Sequence, residues 1–219
     1  MKPLLILILL LLAVLPVLAE LPQDLHRPEF RLQPGGVDAS WQRLLAELQG
    51  APPLRAEFEE RRYFPFRRDY TALIGEIRLD PAHGLSLHYS SPQDQLMVVD
   101  ARGGFMQNER GRRRELPDNP SARAATSALL HVLRFDLGRL AENFEIYAAR
   151  EADRWAFAFI PRPDGQLAKA LSPVTVRGED GRVQLIEMRK SERQRVEIHV
   201  GATETGVSFT EEELARYFR

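Results

Sequence analysis

The chain contains no cysteine, and this absence excludes several kinds of structure. Without cysteine there are no disulfides, so an exported form of the chain must be stable through packing alone. The acylated cysteine that tethers bacterial lipoproteins is excluded, and metal sites lose their thiolate ligands. The five histidines, at positions 26, 83, 88, 131 and 199, are scattered along the chain. We therefore expect surface or hydrogen-bonded roles for them, no metal site and no other cofactor.

The chain also lacks an excess of charge of either sign. It has 30 Lys and Arg against 31 Asp and Glu, a formal net charge of −1. A nucleic-acid-binding surface needs a basic surplus, so we expect no nucleic-acid partner. The sequence shows no Gly-x-Ser-x-Gly elbow, phosphate loop, dinucleotide glycine pattern or zinc-protease helix. We therefore expect no enzyme, since a cofactor-free enzyme would need a polar cluster inside the fold.

The one long apolar run lies at the N-terminus. Lys2 is followed by apolar residues 4–15, and Pro16 precedes Val17-Leu18-Ala19. This order predicts a cleaved signal peptide over residues 1–19. A membrane anchor is the alternative, but a span needs about 20 apolar residues and this run is shorter. We therefore expect a soluble, monomeric protein in the periplasm.

Residues 73–99 alternate apolar and polar side chains three times, with turns between. Leu73, Ile77 and Leu79 share one side of the first predicted strand. Residues 80–84 and 91–94 contain the proline, glycine and aspartate typical of turns. The pattern predicts three antiparallel strands that bury one common face, which another part of the chain must cover.

Further elements follow from the same periodicities. Residues 20–37, rich in proline and glycine, predict an extended or mobile arm. An amphipathic helix is predicted from an N-cap at Ser40 to Gly50, and the longest helix over 121–137. A capping box at Thr210–Glu213 predicts a short final helix. The remaining strands are predicted near residues 54–59, 105–108, 144–148, 155–160, 174–176, 183–188 and 196–200.

About ten strands with one long helix predict a mainly β fold of the α+β class, in one domain over residues 38–219. We expect a curved antiparallel, half-open β-barrel with short helices acting as a lid over an apolar cavity. Such a cavity suits an acyl chain, since each buried methylene contributes about 0.8 kcal/mol.

The segments 75–81 (GEIRLDP), 85–87 (LSL) and 93–100 (QDQLMVVD) resemble the LolA family of periplasmic lipoprotein carriers. In that family a glycine-containing strand leads into a proline turn, then a leucine or aromatic strand, then an apolar strand ending in aspartate. The family pattern has an arginine before the turn proline that helps latch the lid, where this chain has Asp80.

The resemblance implies a carrier that binds acyl chains of lipoproteins or other lipids and moves them toward the outer membrane. It also implies an inner-membrane donor complex and an outer-membrane acceptor. The residues expected to line the cavity are Phe58, Leu73, Ile77, Leu79, Leu85, Leu87, Leu96, Val98, Trp155, Phe157 and Phe159 on strands, and Leu129, Leu130 and Leu133 on the lid.

Two surface features support other functions. The dense basic cluster formed by Arg110, Arg112, Arg113 and Arg114 favours a solvated hairpin. The alternative is a docking patch for an acidic partner or anionic headgroups, which would be the contact surface of an envelope protein-binding scaffold. The aromatic segment 63–66 (YFPF) is expected to fold onto the barrel edge, with the rim of a ligand mouth as the alternative.

Overall fold

The computed structural model describes residues 21–117 and 119–219, so the predicted signal segment lies outside the described residues. The fold is mainly β, as predicted, with one antiparallel sheet of eleven strands. The strands are β1 (Leu54–Tyr63), β2 (Thr71–Asp80), β3 (Gly84–Ser91), β4 (Gln95–Asp100), β5 (Gly103–Asn108), β6 (Arg113–Glu115), β7 (Phe144–Glu151), β8 (Arg154–Pro161), β9 (Val174–Glu179), β10 (Arg182–Ser191) and β11 (Gln194–Thr205). The α-helices are α1 (Ala39–Gly50), α2 (Pro120–Leu133), α3 (Leu137–Leu140) and α4 (Glu211–Tyr217).

The sheet consists of two meanders joined at its centre. Its strand order is β6-β5-β4-β3-β2-β1-β11-β10-β9-β8-β7, so the first and last strands pair with each other. Within the described ranges the edge strands β6 and β7 do not pair, which leaves the barrel half-open as predicted. The chain passes from one edge to the other through α2 and α3, and these helices therefore cross the open side of the sheet.

One face of the sheet carries the main cluster of buried side chains, and we call it the inner face. Ala56 lies opposite Ile77, and Leu79 opposite Leu85, because directly opposed residues of antiparallel strands share a face. The same cluster includes Leu48 of α1 and Val132 of α2. We call α1 and α2 together the lid, since they cover the inner face.

The lid helices differ from the prediction at their ends. Asp38, not Ser40, is the N-cap of α1, because its carboxylate accepts hydrogen bonds from the amides of Ser40 and Trp41 at 2.8 and 3.1 Å. The longest helix ends at Leu133 rather than residue 137. Phe135 has a positive φ of 50°, which an α-helix cannot continue through, and α3 begins beyond it.

The proline-rich arm packs against the outer face of the sheet and is not a free extension. Leu25 is buried in a second cluster with Tyr147 and Ala156 of β7 and β8. The amide of Leu32 donates to the carbonyl of Ile146 at 2.8 Å, so the arm also covers the edge strand β7. An edge covered in this way does not offer its hydrogen-bonding groups to another chain.

The predicted capping box is confirmed at the start of α4. The Thr210 hydroxyl accepts from the amide of Glu213, and the Glu213 carboxylate accepts from the amide of Thr210. The helix lies on the outer face, where the Tyr217 ring is 3.5 Å from the guanidinium carbon of Arg78. None of the helices in the described ranges combines the length and apolar character that crossing a membrane requires.

The Trp155 side chain lies over Gly178 of the neighbouring strand, and its indole nitrogen donates to the carbonyl of Asp180 at 2.6 Å. A Cβ at position 178 would overlap this indole ring and the carbonyl of Arg182. Gly178→Ala is therefore expected to lower the free energy of unfolding by about 1–3 kcal/mol in urea titrations, the usual cost of overpacking.

Gly50→Ala is the matched control for this prediction. Gly50 has open space around its Cβ position and ends a helix, so this substitution should leave stability unchanged or raise it slightly. Equal stabilities of the Gly178→Ala and Gly50→Ala variants would contradict the packing described for Trp155.

Candidate functional site

An apolar cavity of about 140 Å³ lies under the lid, where the two meanders meet. Its walls come from β1, β2 and β3 on one side and from β10 and β11 on the other, and the ends of α1 and α2 cover it. It opens between the exposed residues Arg182 and Thr205. The lining residues are Leu48, Ala51, Leu54, Ala56, Ile77, Leu79, Leu85, Leu133, Phe135, Gly181, Arg182, Val183, Ile186, Val200, Thr203 and Thr205.

A break in strand pairing shapes this cavity. The register between β1 and β11 shifts between Ala56 and Phe58, so that Ala56 lies opposite Thr203 and Phe58 opposite Val200. Such a bulge bends the strand and increases its twist. Small side chains, Ala56 and Thr203, stand at the shift, and they leave space that larger residues would occupy.

Four of the predicted lipid-binding residues line the cavity: Ile77, Leu79, Leu85 and Leu133. Leu73 and Leu129 are partly buried beside the main cluster, while Phe58, Leu87 and Leu130 are buried inside it. Sequence patterns did not assign the wall from Thr203 and Thr205, because it depends on the pairing of β1 with β11, which are far apart in the chain.

The predicted residues Trp155, Phe157 and Phe159 form a closed aromatic layer and do not line the cavity. All three are fully buried, and the Phe157 and Phe159 rings stack at 6.1 Å. The Phe157 ring also meets the rings of Trp41 and Phe135 edge-on, at 5.1 and 5.7 Å. Aromatic packing of this kind fixes the lid over the second meander.

Leu96 and Val98 lie on the outer face, which corrects their predicted place in the cavity. The register of β3 and β4 sets Met97 opposite Leu87, so Met97 and Val99 face inward. Leu96 and Val98 instead form a separate cluster with Phe105 and Tyr217. Residues 96–99 are all apolar, so alternation could not identify the inner face, and a shift of one residue reverses every side chain.

Two hydrogen bonds hold the end of α2 in place. The Gln49 side-chain amide of α1 donates to the carbonyl of Phe135 at 3.0 Å. The Arg134 guanidinium donates to the carbonyl of Pro81, in the turn between β2 and β3, at 2.9 Å. A contact between lid and sheet is therefore made by an arginine on the lid, next to the cavity residue Leu133.

Asp80 stabilises the turn that this arginine contacts. Its carboxylate accepts hydrogen bonds from the amides of Ala82 and His83 and contacts the His83 ring nitrogen Nδ1 at 2.8 Å. Partial burial opposes ionisation, but the hydrogen bonds from His83 and Ala82 outweigh it and hold the pKa of Asp80 below its ordinary value. Asp80 therefore shapes the turn that Arg134 contacts.

A buried polar cluster that the sequence analysis missed lies on the inner face, beyond the cavity. The Glu60 side chain, 4% exposed, accepts a hydrogen bond from the Tyr89 hydroxyl at 2.7 Å and pairs with Arg62. Burial, and secondly the Glu60 carboxylate, raise the pKa of Tyr89 well above its ordinary value. Every second residue of β1 from Ala56 and Phe58 onward faces inward, and this alternation continues to Glu60 and Arg62. The alternation could therefore have identified the cluster from the sequence.

The two surface features have different outcomes. Arg110, Arg112, Arg113 and Arg114 are exposed on and beside the edge strand β6. The segment 63–66 folds onto the barrel only in part, since Tyr63 and Phe64 are half-buried whereas Phe66 is 84% exposed. It does not form the rim of the cavity, which lies toward the other end of β1.

Across residues 21–117 and 119–219, no three His, Asp or Glu side chains form a group that could hold a metal ion.

No protein-family model and no curated protein matches the chain. A domain described as an outer membrane lipoprotein-sorting protein, from Vibrio parahaemolyticus, is similar over 80% of this chain and 94% of its own, with 9% identity and a TM-score of 0.45. The LolA superfamily protein NE2245 from Nitrosomonas europaea is similar over 78% of this chain and 95% of its own, with 7% identity and a TM-score of 0.41.

A complex of Pseudomonas aeruginosa MucA/MucB also matches, over 80% of this chain and 59% of that chain, with 15% identity and a TM-score of 0.40. Because the identities and the TM-scores are this low, the function must be argued from the cavity and its surroundings.

The buried Glu60 carboxylate depends on the hydroxyl of Tyr89, so Tyr89→Phe is expected to lower the free energy of unfolding by about 1–2 kcal/mol. Because the folded-state pKa of Tyr89 is raised, its stabilisation is complete below the unfolded value of about 10 and is lost as the pH rises above it. Urea titrations should show a steeper loss of stability above that pH in the wild type than in the variant. Tyr70→Phe, at an exposed position, is the control and should show neither effect.

Proposed function

We propose that this protein is a periplasmic carrier that binds acyl chains of lipoproteins or other lipids under its lid and moves them toward the outer membrane. The observation that supports the proposal is an apolar cavity under the lid helices α1 and α2, on the inner face of an open sheet. In this proposal an inner-membrane complex supplies the cargo and an outer-membrane protein accepts it.

The chemistry of the cavity suits a hydrocarbon. Among the described residues that line it, Arg182 at the rim is the one ionisable side chain. Apolar cavities of about 150 Å³ in other proteins stay free of water and bind small hydrocarbons. A ligand that fills this space would gain contacts with the apolar side chains that line it.

The lid must move before a whole acyl chain can bind, because the present volume holds only a few carbon atoms. In this proposal the part of the inner face around the cavity opens, since Leu48 and Leu133 of the lid meet mostly aliphatic strand residues there. We propose that movement of α2, with release of the Arg134 hydrogen bond to Pro81, extends the cavity along the inner face. The extended site would include Phe58, Leu73, Leu87, Leu129 and Leu130.

Trp155, Phe157 and Phe159 have a different role in this proposal. They hold the second meander and the lid together while the first meander and the lid separate. A charge at Phe157 is therefore expected to unfold the protein, not only to weaken binding, since this ring is fully buried among four other aromatic rings.

Ala56→Leu tests the carrier proposal, because it places a larger side chain in the cavity without adding charge. Each methylene of the ligand that is displaced forfeits about 0.8 kcal/mol, so displacement of two should weaken binding about tenfold. The measurement is the Kd of a fluorescent fatty acid, with urea titration to show that the variant is folded.

Ala72→Leu is the matched control, since Ala72 is exposed on β2. It should bind the fatty acid as the wild type does. Val200→Phe is a second cavity variant, at a half-buried lining position. Unchanged affinity in both folded cavity variants would contradict acyl binding at this place.

An envelope protein-binding scaffold of the same fold is the second candidate function. It is favoured by the edge strand β6, whose residues Arg113, Arg114 and Glu115 are all exposed and whose outer backbone groups can pair with a strand of a partner. Under this alternative, Arg112→Glu with Arg114→Glu abolishes capture of partner proteins from envelope extracts and leaves fatty-acid binding intact. Capture that is unaffected by these changes, with loss of fatty-acid binding in Ala56→Leu, would decide for the carrier.

A further inference from the structure

The large hydrophobic side chains that are exposed in the described part of the chain lie on one hairpin. They are Phe66, Tyr70 and Ile74, with exposed fractions of 84%, 43% and 52%. Phe66 and Tyr70 belong to the loop between β1 and β2, and Ile74 lies near the start of β2. Exposed apolar residues collected at one place, rather than scattered singly, mark an interaction site.

The hairpin loop is held in a fixed shape that presents Phe66 outward. The Phe64 and Phe66 rings stack at 5.9 Å, and the Arg67 guanidinium donates to the Thr71 hydroxyl at 3.0 Å. The ring of Tyr70 packs against Tyr63 at 5.4 Å. Phe66 is therefore exposed because the ordered conformation of the loop places its ring on the surface, not because the loop is poorly packed.

Arginines surround this aromatic tip. A cleft of about 470 Å³ between the loop and the β10–β11 turn is lined by Arg67, Arg68, Arg193 and Arg195, with Glu192 as its one acidic residue. Arg195 is paired with Glu197 and lies 3.6 Å from the Tyr63 ring. The other three arginines make no ion pair with a carboxylate in the described part of the chain, so their charges are available to a partner.

The shape and charge of this surface fit a bilayer better than a protein. A stable protein interface needs roughly 800 Å² from each partner, whereas an aromatic side chain buries about 150–250 Å² when fully covered. A protruding phenylalanine with arginines at its base matches the boundary between acyl chains and anionic headgroups. We propose that the tip formed by residues 64–70, with Arg193, docks this protein on anionic lipid bilayers.

Docking at this tip leaves the cavity free. The loop follows the last residue of β1, Tyr63, while the cavity lies beside its beginning, at Leu54 and Ala56. A strand of this length spans about 30 Å at roughly 3.3 Å per residue. The proposal therefore stands independently of acyl binding, and the two are measured separately.

The experiment is sedimentation of the purified protein with phosphatidylglycerol vesicles and with phosphatidylcholine vesicles. The wild type should bind the anionic vesicles more tightly, and the binding should weaken as salt is added. Phe66→Ser should weaken binding about tenfold, because the inserted ring is lost. Arg68→Glu with Arg193→Glu should remove the preference for phosphatidylglycerol.

Matched controls separate this site from the other features of the molecule. Arg112→Glu with Arg114→Glu makes the same charge change in the other basic cluster and should leave vesicle binding unchanged. Ala56→Leu should also bind vesicles normally, whether or not it binds fatty acid. Phe66 is mostly exposed, so Phe66→Ser should keep the wild-type stability in urea.

Two results would overturn the proposal. One is the absence of binding to phosphatidylglycerol vesicles by the wild type. The other is equal binding of the vesicles by the wild type and Phe66→Ser. If Phe66→Ser then abolishes self-association in sedimentation velocity, the partner of the tip is a second copy of the chain.

Discussion

The pairing of β1 with β11 is the contact on which the rest of the structure depends. These strands are the first and last of the sheet in sequence, and their nine paired positions run from Leu54 with Thr205 to Tyr63 with Arg195. Without this pairing the two meanders would be separate sheets with exposed apolar faces. With it, β6 and β7 become the two edges of the combined sheet, and the chain between them must cross the open side. The lid is thus a consequence of strand order.

The same pairing locates the cavity. The register shift beside Ala56 leaves space at the junction of the meanders, with mainly aliphatic residues and the Phe135 ring around it. On the second meander, the rings of Trp155 and Phe157 pack closely with Trp41 and Phe135 of the lid side, and the Phe159 ring stacks on Phe157. In the carrier proposal, this half of the face anchors the lid, and the other half holds the space that a ligand can enlarge.

Local sequence patterns predicted most strands and the final helix, because alternation and capping depend on neighbouring residues. The predictions that depended on distant contacts were less successful. Leu96 and Val98 were placed on the wrong face because both faces of β4 are apolar, and only its register with β3 distinguishes them. The segment 63–66 was expected to fold onto the barrel edge, and no local pattern could show that Phe66 would be left exposed in its loop.

The candidate site was also predicted only in part, because some of its residues come together through contacts between distant parts of the chain. Ile77, Leu79 and Leu85 belong to one meander, so their shared face followed from alternation. Thr203 and Thr205 enter the cavity through the pairing of β1 with β11, which no short segment encodes. Glu60 could have been found, since it continues the inward phase of Ala56 and Phe58, but a charged residue was not expected there.

Native mass spectrometry of the protein purified without detergent from the cells that make it tests the central claim most directly. If the protein carries acyl chains, part of the population should show an added mass that dissociates as an acylated molecule. Its chemical identity would name the cargo. A single unliganded mass, with no uptake of added fatty acid, lipid or lipoprotein, would contradict the carrier account and favour a scaffold built on the same fold.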